Sequence, residues 1–229
     1  MLHNYFPVPK ESFVINLASP KRDIVQNSID FLSKSIVLSG EISSNIFAVH
    51  SGFLVDPRPN ELGKAFKNYE VTPRGLALEI FLESVSELIL VAEENGVQLF
   101  VENNVISEAN FDKFGEDIFL MTSFSDFDFF MSEFSGQVKF LMDIGHLNVS
   151  CNTLKLDKIE QLQASNSITS GYHLHDNLGR SDDHMIFELR NAWFSEYLIK
   201  DPEFVTLEVH DYTNPKLKEL SENLSKFFT

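Results

Sequence analysis

The chain has 229 residues, 43% of them hydrophobic, which suits one sizeable core in a single α/β domain spanning residues 1–229. Its 34 acidic residues against 18 basic ones give a formal net charge of −16, which opposes binding to nucleic acid, a ligand that demands a basic surface. A single cysteine, Cys151, excludes an intramolecular disulfide and fits a buried thiol in a reducing cytoplasm, while no apolar run is long enough to span a bilayer and no charged-then-apolar signal opens the chain.

A short strand is expected at Leu2 to Phe6, and a second apolar run at Phe13 to Ala18. Ser19 and Pro20 then read as an N-cap and first-turn pair, followed by Val25, Ile29, Leu32 and Ile36 at helical spacing, with Gly40 as the stop. Ile46 to His50 predicts the next strand. Thr72 and Pro73 repeat the helix-start signal, Leu78, Phe81, Val85, Leu88 and Ala92 form one stripe, and Asn95-Gly96 ends it. Strands follow at Val97 to Glu102, Val138 to Asp143, Gly171 to Asp176 and Phe204 to His210. Between the first two of these, Phe127, Phe130, Met131 and Phe134 line a helix, and Pro215 to Phe228 reads as a final amphipathic helix. The strand runs are almost continuously apolar, as in parallel strands covered on both faces, and strand-helix alternation predicts a parallel α/β barrel. About seven strands are counted against eight in a closed barrel. The expectation is therefore a barrel lacking its first strand-helix unit, with an open edge that a partner subunit of a homo-oligomer would cover.

Polar residues recur where the apolar strands end: His3, His50, Glu102, Asp143 with His146, His173, Asp182 with His184, and Glu208. The active site of a barrel of this class lies at that face. Each residue alone has an ordinary structural reading; in Asp143-Ile-Gly-His146, for example, Asp143 would cap backbone amides in a turn. Jointly they point to a divalent-metal site, and mixed oxygen and nitrogen donors suit Mn²⁺, Mg²⁺, Co²⁺, Fe²⁺ or Zn²⁺.

Four segments resemble the xylose-isomerase-like TIM barrels, a superfamily of sugar and sugar-phosphate isomerases and epimerases with endonuclease-IV-type relatives. Val97-Gln-Leu-Phe-Val-Glu102-Asn-Asn is similar to a strand ending in a metal-binding glutamate. Phe140-Leu-Met-Asp143-Ile-Gly-His146 is similar to the Asp-x-x-His strand. His173-Leu-His175-Asp176-Asn177-Leu-Gly179, with Asp182-Asp-His184, resembles the His-x-His-Asp-Asn…Asp-x-His segment, and Thr206-Leu-Glu208-Val the last strand. The resemblance implies one metal on Glu102, Asp143, His173 and Glu208. It also implies further metal-ligand positions at His3, His50, His146, Asp182 and His184, a set that in endonuclease-like members holds up to three zinc ions.

The activity implied first is isomerisation or epimerisation of a small sugar or sugar phosphate, with Glu102 and Glu208 moving the proton and His146 holding a substrate oxygen. His175, Asn177 and Arg180 are further candidates for substrate contact, with His175 read as orienting a neighbour in preference to binding metal. The alternative implied is zinc-dependent hydrolysis of a phosphoester at a multinuclear site. One departure from the family pattern is Met185-Ile-Phe-Glu-Leu-Arg, which stands where sugar-isomerase relatives carry a Pro/Gly-rich stretch.

Overall fold

The computed structural model describes residues 2–134, 136–210, 213 and 215–228. Met1, expected at the edge of the first strand, lies outside them. In chain order the elements are β1 (Leu2–His3), α1 (Arg22–Glu41), β2 (Ile46–His50), α2 (Arg74–Glu94), β3 (Gln98–Glu102), α3 (Glu108–Phe114) and α4 (Phe124–Phe134). They continue with β4 (Lys139–Asp143), α5 (Ile144–Leu154), α6 (Lys158–Ser165), β5 (Thr169–Leu174), β6 (Phe204–Leu207) and α7 (Lys216–Phe227). The strands form one sheet in the order β1-β2-β3-β4-β5-β6, every neighbouring pair parallel. The described sheet is thus a partial barrel two strands short of eight, with β1 and β6 at its edges. No helix among the described residues is long and apolar enough to cross a membrane.

The pleat divides the side chains of these strands between two environments. Phe47 and Val49, Leu99 and Val101, Phe140 and Met142, and Tyr172 and Leu174 join the large core beneath the helices. Against them lie Ile29, Leu32 and Ile36 of α1, Phe81, Val85 and Leu88 of α2, and Phe127, Phe130 and Phe134 of α4. The alternate residues face the barrel interior, where Ala48, Phe100 and Leu141 form a separate apolar cluster with Ile46 and Phe204. Gly171 belongs to this inner layer, and a Cβ there would come within 2.8 Å of the Phe204 ring. Two residues further along the same parity stand His50, Glu102, Asp143 and His173, and four residues beyond Phe204, past the end of β6, stands Glu208. The register pairs His50 with Glu102 and Asp143 with His173.

The run Phe13 to Ala18 corrects the sequence reading: it is buried but forms no strand. Its polar backbone is satisfied by side chains instead of a ladder: Tyr5 Oη accepts from Ile15 N, Ser28 Oγ accepts from Asn16 N, and Ser84 Oγ donates to Leu17 O. Asn16 Oδ1 accepts from Ala18 N and Phe53 N at 3.0 Å each, and its Nδ2 donates to Phe53 O, Val55 O and Asp56 Oδ1. The other shifts are smaller. β1 stops at His3 and β6 at Leu207, earlier than expected, and α1 begins at Arg22, after Ser19 Oγ has accepted from Lys21 N. Replacing Asn16 with Ala should lower unfolding free energy by ~3 kcal/mol, since at least two buried amides lose their acceptor at about 1–3 kcal/mol each. Urea titration checks this as a lower midpoint with unchanged slope.

Candidate metal centre

Glu102 is the hub of the site. The inward parity of β3 places it directly above the apolar inner layer, fully buried, with both oxygens engaged. Oε2 faces His3 Nε2 at 2.6 Å and His50 Nε2 at 3.5 Å. Oε1 faces His173 Nδ1 at 3.2 Å and His146 Nδ1 at 3.6 Å. His173 Nδ1 also lies 3.1 Å from Glu208 Oε1 and 4.0 Å from Asp143 Oδ2, so Glu102, Asp143 and Glu208 converge on one imidazole nitrogen.

A second group surrounds Asp182. α5 begins directly at the end of β4, and Asp143 Oδ1 caps it by accepting from His146 N at 2.7 Å, as the sequence predicts. His146 Nδ1 lies 2.8 Å from Asn103 O, which leaves Nε2 facing Asp182 Oδ2 at 3.3 Å. His184 repeats the arrangement, with Nδ1 2.9 Å from Glu208 O and Nε2 2.9 Å from Asp182 Oδ2. The His184 backbone sits in the left-handed region at φ 47, uncommon outside glycine and a mark of local strain. Asn103, which the sequence leaves without a role, braces the junction: its side chain donates to Asp143 O and accepts from Asp143 N.

The nine residues expected to bind metal are therefore brought together. The candidate substrate contacts divide. His175 is fully buried, with Nε2 3.1 and 3.2 Å from the two Asp143 oxygens. Asn177 is occupied in holding its loop, donating to Gly145 O and accepting from Asn148 Nδ2 and Gly179 N. Arg180 is exposed. The sequence reading gave no role to His210, whose ring lies 4.6 Å from that of His184. Ring contacts link all seven histidines of the chain in one path, from His50 and His173 on His3 through His146, His175 and His184 to His210. Cys151 stays outside this network, its thiol pushed up to about 12 mainly by burial.

Burial opposes charge throughout the cluster, and the neighbours decide the outcome. Burial would raise the Glu102 carboxyl, but His50, His173 and His3 hold it well below the usual carboxylate range. Burial dominates at His50, which falls to about 4 and is neutral at pH 7. At His173 the burial penalty is outweighed by Glu102, Glu208 and Asp143, raising it to about 9. At His184 it is outweighed by Asp182, again giving about 9. The donors fit a divalent cation: carboxylates and imidazoles reach common points, and three overlapping triads built on Glu102, Asp143 and His173 bring their ligand atoms within 4.8 Å of one another, as does a fourth formed by His175, Asp182 and His184. Asp182 Oδ1 is buried without a hydrogen bond, an orphaned acceptor that a cation would satisfy.

The fold is shared with solved structures of low sequence identity. A D-tagatose 3-epimerase-like protein aligns over 99% of this chain and 76% of its own, with a TM-score of 0.69 and 18% identity. A Thermus thermophilus protein soaked with zinc chloride aligns over 94% of this chain and 76% of its own, with a TM-score of 0.63 and 19% identity. An uncharacterized protein of Methanocaldococcus jannaschii is 29% identical over 176 residues, 75% of this chain and 55% of that relative. The chain thus spans about half the length of the curated relatives it matches. The family profile described as xylose isomerase-like TIM barrel matches residues 1–222, and the chain belongs to that family.

Proposed function

We propose that this chain is a divalent-metal-dependent isomerase or epimerase acting on a small sugar or sugar phosphate. The observation that carries the reading is the convergence of Glu102, from the central strand β3, and Glu208, from beyond the edge strand β6, on His173 Nδ1, at 3.2 and 3.1 Å. Glu102, Asp143, His173 and Glu208 would hold the ion. A bound divalent ion supplies Lewis acidity, polarising a carbonyl and acidifying the neighbouring C–H. The protein's own part is to move the proton. Glu102, kept ionised by its histidines, forms the buried floor, and Glu208 stands at the more exposed side. One glutamate takes the proton from carbon and the other returns it, and transfer between opposite faces inverts the centre. His146, its Nδ1 anchored on Asn103 O, presents Nε2 to a substrate oxygen or to an ion at Asp182. The fold shared with an epimerase-like protein supports the same reading by analogy.

A second reading is hydrolysis of a phosphoester at a multinuclear zinc site. It is favoured by the surplus of donors: His146, Asp182 and His184 form a group that an isomerase with one ion does not need, and His3 and His50 add another around Glu102. The −16 charge points to a small phosphoester over nucleic acid.

Glu102→Gln and Glu208→Gln should each reduce solvent-deuterium exchange at a sugar carbon at least ~10²-fold, the usual contribution of a general base, as read by NMR in the presence of Mn²⁺. Full exchange in either variant removes the two-glutamate mechanism, and metal-dependent release of phosphate in its place favours the second reading. Metal affinity should depend on pH with a defined sign. Protons on His173 and His184, held up to about 9, compete with the ion, so calorimetric affinity rises from pH 6.5 toward 9 with proton release on binding. Stability of the metal-free protein runs the other way. The contribution of these histidines is complete below pH 6.5 and is lost as pH rises through about 9, which thermal melts in chelator will register as a falling midpoint.

A further inference from the structure

We propose, building on the metal-binding reading, that His175 is a positioning residue that ties the two halves of the cluster together and is not itself a ligand. Its Nε2 pairs with Asp143, 3.1 Å from Oδ1 and 3.2 Å from Oδ2, and the same nitrogen lies 3.4 Å from Asp182 Oδ1, so one ring edge faces the carboxylates of both groups without hydrogen-bonding the second. Among the described residues no other imidazole nitrogen lies within 4 Å of both carboxylates.

Although His175, Asp182 and His184 bring ligand atoms within 4.8 Å of one another, ring orientation makes His175 the poorer ligand beside His184. The two rings stack, with centroids 4.1 Å apart and planes inclined by 20°. An imidazole lone pair lies in the plane of its ring, and bonds to zinc are about 2.0–2.1 Å long. Two nearly parallel rings stacked face to face cannot both direct lone pairs at one ion. His184, anchored through Nδ1 on Glu208 O, is the better placed of the two to bind through Nε2. His175 instead supplies the face on which His184 rests.

The chain makes room for this arrangement at one position. A Cβ on residue 145 would lie 1.8 Å from His175 Cε1 and 2.4 Å from both ring nitrogens, so only glycine permits the ring to lie against the first turn of α5. Gly145 stands between Asp143, which His175 contacts, and His146, which faces Asp182. The spacing Asp143-Ile-Gly-His146 thus contains both a ligand pair and the opening for the side chain that aligns it. His175 Nδ1 is buried without a hydrogen-bond partner. The ring thus makes its hydrogen bonds through Nε2, on the side of the carboxylates. Groups that hold metal ligands by hydrogen bonds in this way typically contribute about 10–100-fold to metal affinity.

Zinc and cobalt(II) titrations of the full chain, read by calorimetry and by the visible absorption of bound cobalt, test the assignment. His175→Ala should bind the same number of ions as wild type but hold both the ion on Asp143 and the ion on Asp182 about 10–100-fold more weakly. His175→Gln, whose amide N–H reaches the position of Nε2, should recover most of the loss at the Asp143 ion. Gly145→Ala should reproduce the defect with His175 and every ligand still present, which keeps the test decisive if His175→Ala folds poorly. Wild-type affinity at either ion in His175→Ala overturns the bridging role. Loss of one ion from the stoichiometry, with the other unchanged, makes His175 a ligand and overturns it equally. A wild-type chain that binds neither metal removes the metal-binding reading itself, an outcome distinct from both.

Discussion

A carboxylate withdrawn from water must be paired, hydrogen-bonded or neutralised, and Glu102 has no solvent access at all. An apolar layer of Ala48, Phe100 and Leu141 lies on the same interior side of the sheet, two residues below the ends of β2 and β3. Its partners must therefore come from neighbouring strand ends, and four imidazoles surround it: His3, His50, His146 and His173. Much of the architecture follows from this requirement. Parallel strands in register are needed to bring His50 beside Glu102, and an inward pleat is needed to keep the helices' core on the other face.

The same charges reach across the open barrel. β1 and β6 are the two edge strands, and no ladder joins them among the described residues. Yet His3 at the end of β1 touches Glu102, Glu208 beyond β6 touches His173, and the His3 and His173 rings lie 5.1 Å apart. The site is thus more nearly closed than the sheet that carries it. The residues that close it, His3 ending β1 and Glu208 directly past β6, come from the two edge strands.

Much of this was legible in the sequence, for reasons that can be stated. β2 to β5 are buried on both faces and read as apolar runs, and inward parity places His50, Glu102 and Asp143 at the ends of β2 to β4, and His173 one residue before the end of β5, above the apolar layer. The Asp143 cap on His146 was legible from spacing alone. Phe13 to Ala18 misled because burial and branched residues mimic a strand, while its backbone bonds to the side chains of Tyr5, Ser28, Ser84 and Asn16. α5 was missed because its residues from Ile144 to Cys151 are all buried, which leaves no polar face to reveal a helical period. The sequence left His175 outside the ligand set, but the contacts that would give it an orienting role were not legible there. It shares strand parity with His173, and only the position of Gly145 and the stack on His184 distinguish them.

The central claim is that carboxylates and imidazoles from six strand ends form one cation-binding centre around Glu102. Anomalous scattering from crystals grown with Mn²⁺ or Zn²⁺ tests it most directly. A peak is expected about 2.0–2.2 Å from donor atoms of Glu102, Asp143, His173 and Glu208, with any further peak beside Asp182. Anomalous density confined to the surface, with these four side chains still paired to one another, would contradict it.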